Sequence, residues 1–143
     1  MINKVFGLFA FTMLSFYSVY AQDSIVSRLN GQLNAKNYNA LASISASASA
    51  GYPAEALYDI GMAWYMKNDD DNCISFMSRA IDKDPKMAKA LYYRAMSLSY
   101  IEKYLEAISG FKDVIAIDPS NSDYYTSLGD GYFKSEDSVD ALS

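Results

Sequence analysis

The sequence predicts an all-α chain of stacked helix-turn-helix hairpins, and three observations predict it. Large apolar residues recur at three- and four-residue steps, which is the spacing of one helix face. The pattern then returns after thirty-four residues, so that "IDKDP" at 81–85 is answered by "IAIDP" at 115–119. Each of these stretches ends in proline, Pro85 or Pro119, which lacks a backbone donor and restricts the residue before it, and so stops a helix.

Composition narrows the functions open to such a chain. Its 143 residues, 51% of them hydrophobic, suffice for one domain of ordinary size. A net charge of -5, with lysines scattered among acids, argues against nucleic acid, whose phosphates need a clustered basic face. There is no histidine, which removes the usual general base and the commonest metal ligand. The single cysteine, Cys73, forms no internal disulfide or Cys-rich zinc site. Its setting, "DDDNCISF", offers carboxylates where a nucleophilic thiol wants a basic partner, so Cys73 is read as a packed small side chain. No catalytic constellation, metal or cofactor is implied.

Residues 1–21 read as a secretory signal. Lys4 precedes an apolar run from Val5 to about Tyr20, and the segment exits through Val19-Tyr20-Ala21, small residues standing where a signal peptidase reads. The rival is an uncleaved anchor, since the run is only a little shorter than the ~20 residues that span a bilayer. Ser15, Ser18 and Tyr20 weaken that rival. The "YAQD" junction is similar to those of exported bacterial proteins, so the expected location is periplasmic or secreted.

Residues 22–53 read as a degenerate first hairpin. Ile25, Leu29 and Leu33 fall at helical steps, and Tyr38, Leu41, Ala48 and Pro53 stand where comparable residues fall later. The serines of "LASISASASAGYP" lower helix stability, because their hydroxyls compete for backbone groups.

The next units span 54–87 and 88–121, with a third, cut short, at 122–143. Overlaid, they match at Leu57 and Leu91, Trp64 and Leu98, Ile74 and Ile108, and Ile81 and Ile115. Small residues match at Gly61 and Ala95 and at Cys73 and Ala107. Within the first unit, Leu57, Ile60, Gly61 and Trp64 mark one helix face, and Cys73, Met77, Ala80 and Ile81 mark a second. "KNDDDN" between them turns the chain and caps the following helix. A hairpin of this size cannot bury its own apolar face and needs a stacked neighbour.

These residues resemble the tetratricopeptide repeat, whose signature asks for a large residue, Leu-Gly and an aromatic in the first helix, then Ala, Phe and Pro. The unit at 54 supplies Leu57, Ile60-Gly61, Trp64, Cys73, Met77, Ala80 and Pro85. The unit at 88 supplies Leu91, Ala95, Leu98, Ala107, Phe111, Val114 and Pro119, and the third supplies Tyr125, Leu128-Gly129, Tyr132 and Ala141. Two departures stand out. Arg94 replaces the expected leucine, and Asn68, Glu102 and Glu136 replace the glycine of the turn between helices.

The resemblance implies a right-handed α-solenoid whose first helices line a concave groove for a partner's peptide. Carried over position by position, it points Tyr58, Met62, Tyr65 and Met66 into the groove, then Tyr92, Met96 and Tyr100, then Phe133. Glu55, Lys89, Ser99, Asp123, Thr126, Asp130 and Lys134 complete the surface. The family's carboxylate clamp needs lysine or asparagine where Tyr58, Met62, Met96 and Asp123 stand, so a chaperone-tail receptor is disfavoured. Tyrosine and methionine suit a hydrophobic or extended peptide instead. The competing reading is that several of these tyrosines pack between hairpins.

Two motifs carry little. "NDDD" at 68–71 lacks the alternating acids, glycine and distal glutamate of a calcium loop. "GDG" at 129–131 falls inside a helix and reads as packing. The expected function is therefore a non-catalytic, exported scaffold that binds protein or peptide, within an envelope-associated complex. The alternative is the N-terminal interaction arm of a longer enzyme or outer-membrane assembly protein. The sequence stops at Ser143 without a polar capping helix, which solenoids generally need.

Overall fold

The computed structural model describes residues 19–140, with side chains through residue 136. It holds seven helices: α1 (residues 19–34), α2 (Tyr38–Ala42), α3 (Ala54–Met66), α4 (Asp70–Lys83), α5 (Ala88–Tyr100), α6 (Tyr104–Ile117) and α7 (Ser122–Asp140). From α2 onward each helix packs on the next in sequence, while α3 also meets α5 and α5 meets α7. The segment expected to be secretory and Ala141 lie outside the described residues, apart from 19–21, which form the start of α1. No helix among the described residues is long and apolar enough to cross a membrane.

The turn between paired helices is built the same way three times. Lys36, Asn68 and Glu102 are left-handed, with φ of 57°, 56° and 64°. After each, the backbone N–H of Asn37, Asp69 or Lys103 donates to the carbonyl five residues back, on Gln32, Trp64 or Leu98. This is the Schellman closure that satisfies the last free carbonyls of a helix. Only Asn68 is a residue that tolerates the geometry well; Lys36 and Glu102 adopt it because the flanking helices are packed in place. As expected from "KNDDDN", Asp69 caps α4, its side chain accepting from Asn72 N–H at 3.1 Å.

The recurrent "DP" closes α4 and α6 identically. Asp84 and Asp118 leave helical geometry, with φ/ψ of −137°/92° and −133°/88°, as a following proline requires. Each carboxylate then accepts a backbone N–H two residues on, from Lys86 at 3.0 Å and Ser120 at 3.2 Å. Pro85 and Pro119 are exposed, so their work is done on the backbone.

Apolar packing follows the repeat. Leu57, Ile60, Ala63, Cys73, Met77 and Ala80 are buried in one cluster that Leu29 and Leu41 join from the first unit. Ala95, Leu98, Ala107 and Phe111 form the equivalent cluster one unit on, and Leu91, Val114 and Tyr124 extend it toward α7. Trp64 is half-buried against the first cluster. Helices cross closely where small residues meet. A Cβ on Gly61 would come within 3.0 Å of the Met77 side chain, and one on Gly110 within 2.9 Å of the Ala95 Cβ.

Two segments differ from the sequence expectation. Residues 43–50 form turns where the second helix, α2, is expected to continue, and Ala48 is exposed while Ser49 is buried. The serines are the reason: Ser49 Oγ donates to the Ser45 carbonyl at 2.9 Å, and Ser45 Oγ takes the Ala48 N–H at 3.1 Å. Arg79 of α4 then fixes the segment, donating to Ser49 Oγ (3.0 Å), the Ser49 carbonyl (2.9 Å) and the Ala46 carbonyl (3.3 Å). At the other end α7 continues through Glu136, which is not left-handed. Glutamate favours helix over a left-handed turn, and among the described residues no following helix packs on α7 to impose the turn as α6 does at Glu102. The packing positions Gly129 and Tyr132, which the repeat register would cover with a paired helix, are therefore exposed. Gly131 is the glycine that packs: a Cβ there would come within 3.2 Å of the Ile108 side chain.

Gly110 and Gly129 should respond oppositely to alanine. With nothing within 4 Å of its added Cβ, Gly129→Ala should raise stability by about 0.5–1 kcal/mol through helix propensity. Gly110→Ala should lower it by about 1–2 kcal/mol, because the Ala95 contact outweighs that gain. Urea denaturation followed by far-ultraviolet circular dichroism checks both.

Candidate functional site

The first helices α3, α5 and α7 carry a continuous network of aromatic rings. Tyr93 of α5 lies edge-on to Tyr65 of α3, with centroids 4.9 Å apart, and 6.2 Å from Tyr58. Tyr65 is 6.3 Å from Tyr100, and their hydroxyls stand 3.5 Å apart. On its other side Tyr93 touches Tyr92, which is tilted against Tyr124 of α7 at 5.0 Å and Phe111 of α6 at 6.1 Å. The Tyr92 hydroxyl meets Ser127 Oγ of α7 at 3.2 Å. Offset and edge-on contacts of this kind stabilise beyond the area they bury.

The eight proposed groove residues separate into three groups. Met66, Tyr100 and Phe133 are open to solvent, 47%, 54% and 67% exposed. Tyr58, Tyr65, Tyr92 and Met96 are half-buried, each presenting part of its side chain. Met62 is a correction: it is only 5% exposed, because it belongs to the core cluster with Leu57, Ile60 and Met77. Ser99 is buried as well. The residues thus divide between surface and packing, and neither reading takes all the tyrosines.

Burial moves the phenols further from ionisation. Tyr58 and Tyr93 have pKa values pushed above the usual tyrosine range by desolvation. Tyr65 is pushed up by desolvation first and then by its hydroxyl contact with Tyr100. These hydroxyls remain available as donors near neutral pH. Above Tyr58, the Lys89 ammonium sits 4.3 Å from the ring centroid and pairs with Glu55.

Two residues here escaped the sequence reading. Tyr93 is the hub of the rings, yet it stands one place after a groove position. Thirty-four residues earlier stands Asp59, buried against α1 and only 2% exposed. Among the described residues its Oδ2 has no hydrogen-bond partner. Burial raises its pKa to about 6; Lys89 opposes the rise, Glu55 adds to it, and the Asn30 side chain opposes it. The signal for both was shared: this place in each unit faces the preceding first helix, so its residue is covered by that helix.

Cys73 is buried, and desolvation pushes its thiol up to about 11, which leaves it protonated. Ser97 lowers that value and Asp70 and Asp69 raise it. No group of three His, Cys, Asp or Glu side chains suited to a metal ion occurs among the described residues.

Comparison with known proteins agrees with this architecture. The tetratricopeptide repeat family model matches residues 55–86. The fold superposes on the second tetratricopeptide-repeat domain of human RPAP3, solved with the HSP70 peptide SGPTIEEVD. The TM-score is 0.71 at 21% identity, over 80% of this chain and 98% of that one. It also superposes on two crystal structures of MamA, both at 22% identity. One gives a TM-score of 0.72 over 80% of this chain and 68% of MamA, the other 0.71 over 85% and 67%. Comparison with curated protein sequences gives no match. The fold is that of tetratricopeptide-repeat domains: helices in sequential pairs, with one repeat legible in the sequence at 55–86.

Asp59 makes stability pH-dependent. Its folded pKa of about 6 exceeds the 3.8 of an unfolded aspartate, so the folded state binds the proton more tightly. Its contribution is most favourable below the unfolded value and falls as pH rises through about 6. Asp59→Asn should therefore stabilise the chain by about 1–2 kcal/mol at pH 7.5 and change little at pH 4. Urea midpoints at the two pH values check this.

Proposed function

We propose that the chain is a non-catalytic module that binds an extended, largely apolar segment of another protein across α3, α5 and α7. The observation that carries this reading is the aromatic network with Met66, Tyr100 and Phe133 open to solvent on its helices. Large rigid rings with polar tips give contact area at little entropic cost, and methionine adapts its shape to the ligand. The RPAP3 domain of the same fold was solved with a peptide bound, which supports a peptide as the ligand class. The mode of gripping differs: Tyr58, Met62, Met96 and Asp123 occupy the places where a carboxylate clamp needs lysine or asparagine. The surface therefore takes the body of a chain, not its carboxylate end.

Tyr100 is the residue to change, because it is exposed while Tyr92 and Tyr93 hold helices together. Against a library of apolar peptides, Tyr100→Ala should weaken the best binder by about tenfold, within the 1–3 kcal/mol of a well-buried contact residue. Its melting temperature should be unaltered. Equal binding by the variant removes the ring surface from the account.

We also propose export, on the order of charge, apolar run and small residues in 1–21. Residues 1–21 fused to an alkaline phosphatase that works only outside the cytoplasm should yield active enzyme in a bacterial host. An inactive fusion retained in the cytoplasm sinks this part.

A further inference from the structure

A second recess lies away from the rings, in the trough between α4 and α6 with α5 beneath. It measures about 320 Å³, and Ile74, Ser78, Arg94, Leu98, Glu106 and Asp113 contribute to its walls. At its base is Arg94, in the place that neighbouring units give to Ile60 and Leu128. Ile60 is fully buried and Leu128 packs on the core, whereas Arg94 brings a permanent charge to the same position. Its Nε is shielded from solvent and has no hydrogen-bond partner. Among the described residues the guanidinium forms no ion pair, even with the two carboxylates on the wall.

An unpaired, partly desolvated cation is costly, and leucine at this place would remove the cost. The charge is better explained by an anion that arrives from outside. The neighbouring charges define its type. Glu106 and Asp113 are seven residues apart on α6, two turns, or about 10.5 Å along the axis. Gly110, between them, meets α5 at Ala95, the residue after Arg94. The order along the trough is therefore negative, positive, negative. A free phosphate would meet repulsion from both carboxylates.

We propose that this trough docks a helix of a partner protein, which inserts one acidic side chain over Arg94 and sets a basic residue one turn to either side. Three- and four-residue steps place three such side chains on one helix face, spanning the same two turns. Ile74 and Leu98 supply apolar contact around the buried pair. The surface shares no residue with the aromatic face, so its test is independent of the function proposed above.

The test uses the full chain and a labelled alanine-based helical peptide containing KAAAEAAK, read by fluorescence anisotropy at low salt. The chain should bind this peptide. Arg94→Leu should weaken binding at least about tenfold, the effect of breaking a buried charge pair. A peptide with the central glutamate changed to lysine should bind no better than that variant does, and Glu106→Gln with Asp113→Asn should weaken the original peptide. Arg94→Leu restores the residue usual at this place, and its melting temperature should match or exceed that of the parent. The proposal is overturned by failure of the parent chain to bind, or by equal binding of Arg94→Leu. A large drop in that variant's melting temperature also overturns it, by showing that Arg94 is satisfied within the chain.

Discussion

No hairpin in this chain can stand alone. Leu57, Ile60 and Ala63 line a helix only thirteen residues long, and their burial requires α4 on one side and the first unit on the other. That mutual cover drives the architecture, because burying apolar area is the dominant favourable term in folding. Everything else works around it. Small residues at Gly61, Ala95 and Gly110 let helices come near enough for the cover to be complete. Left-handed turns at Lys36, Asn68 and Glu102 bring the second helix back at the correct angle, even where the residue type resists.

The same constraint explains why the rings are divided between packing and surface. A first helix touches its own partner, the second helix before it and the first helices on either side, so little of its circumference is free. Tyr92 and Tyr93 fall where neighbours meet, and their rings fill the angle between helices. Tyr100 and Met66, at the ends of α5 and α3, fall where the helices run past their neighbours' cover. An aromatic network with one edge in the core and one in solvent is held rigid by the array it serves. Such rigidity would lower the entropic cost of the binding proposed for this surface.

Much of the fold was legible because repetition compounds weak signals. A single leucine says little, but Leu57 and Leu91, Gly61 and Ala95, and Pro85 and Pro119 recurring in register state a unit and its length. Legibility failed where backbone polar groups found local partners. Residues 43–50 have a plausible helical spacing, and the serine hydroxyls together with Arg79, thirty residues away in the chain, decide against it. It failed again at Glu136, where the register calls for a turn and local propensity keeps the helix. For the surface, positions could be named but not their exposure. Met62 joins the buried core cluster, and Asp59 and Tyr93 gain their roles from how the preceding first helix packs on them, which the spacing of either helix alone does not state.

The clasp of Arg79 on the serine segment separates the first unit from the others in kind. Elsewhere the polar contacts between units join single side-chain pairs, such as Lys89 with Glu55 and Tyr92 with Ser127; here one guanidinium holds two carbonyls and a hydroxyl, stacked 4.9 Å over the Phe76 ring. Free guanidinium ion in solution is the same chemical group and competes for the same oxygens. Urea offers no such cation, so the two denaturants act differently on this one junction. In guanidinium chloride the serine segment should therefore let go first, the array loosening from its beginning while the later hairpins still shelter one another.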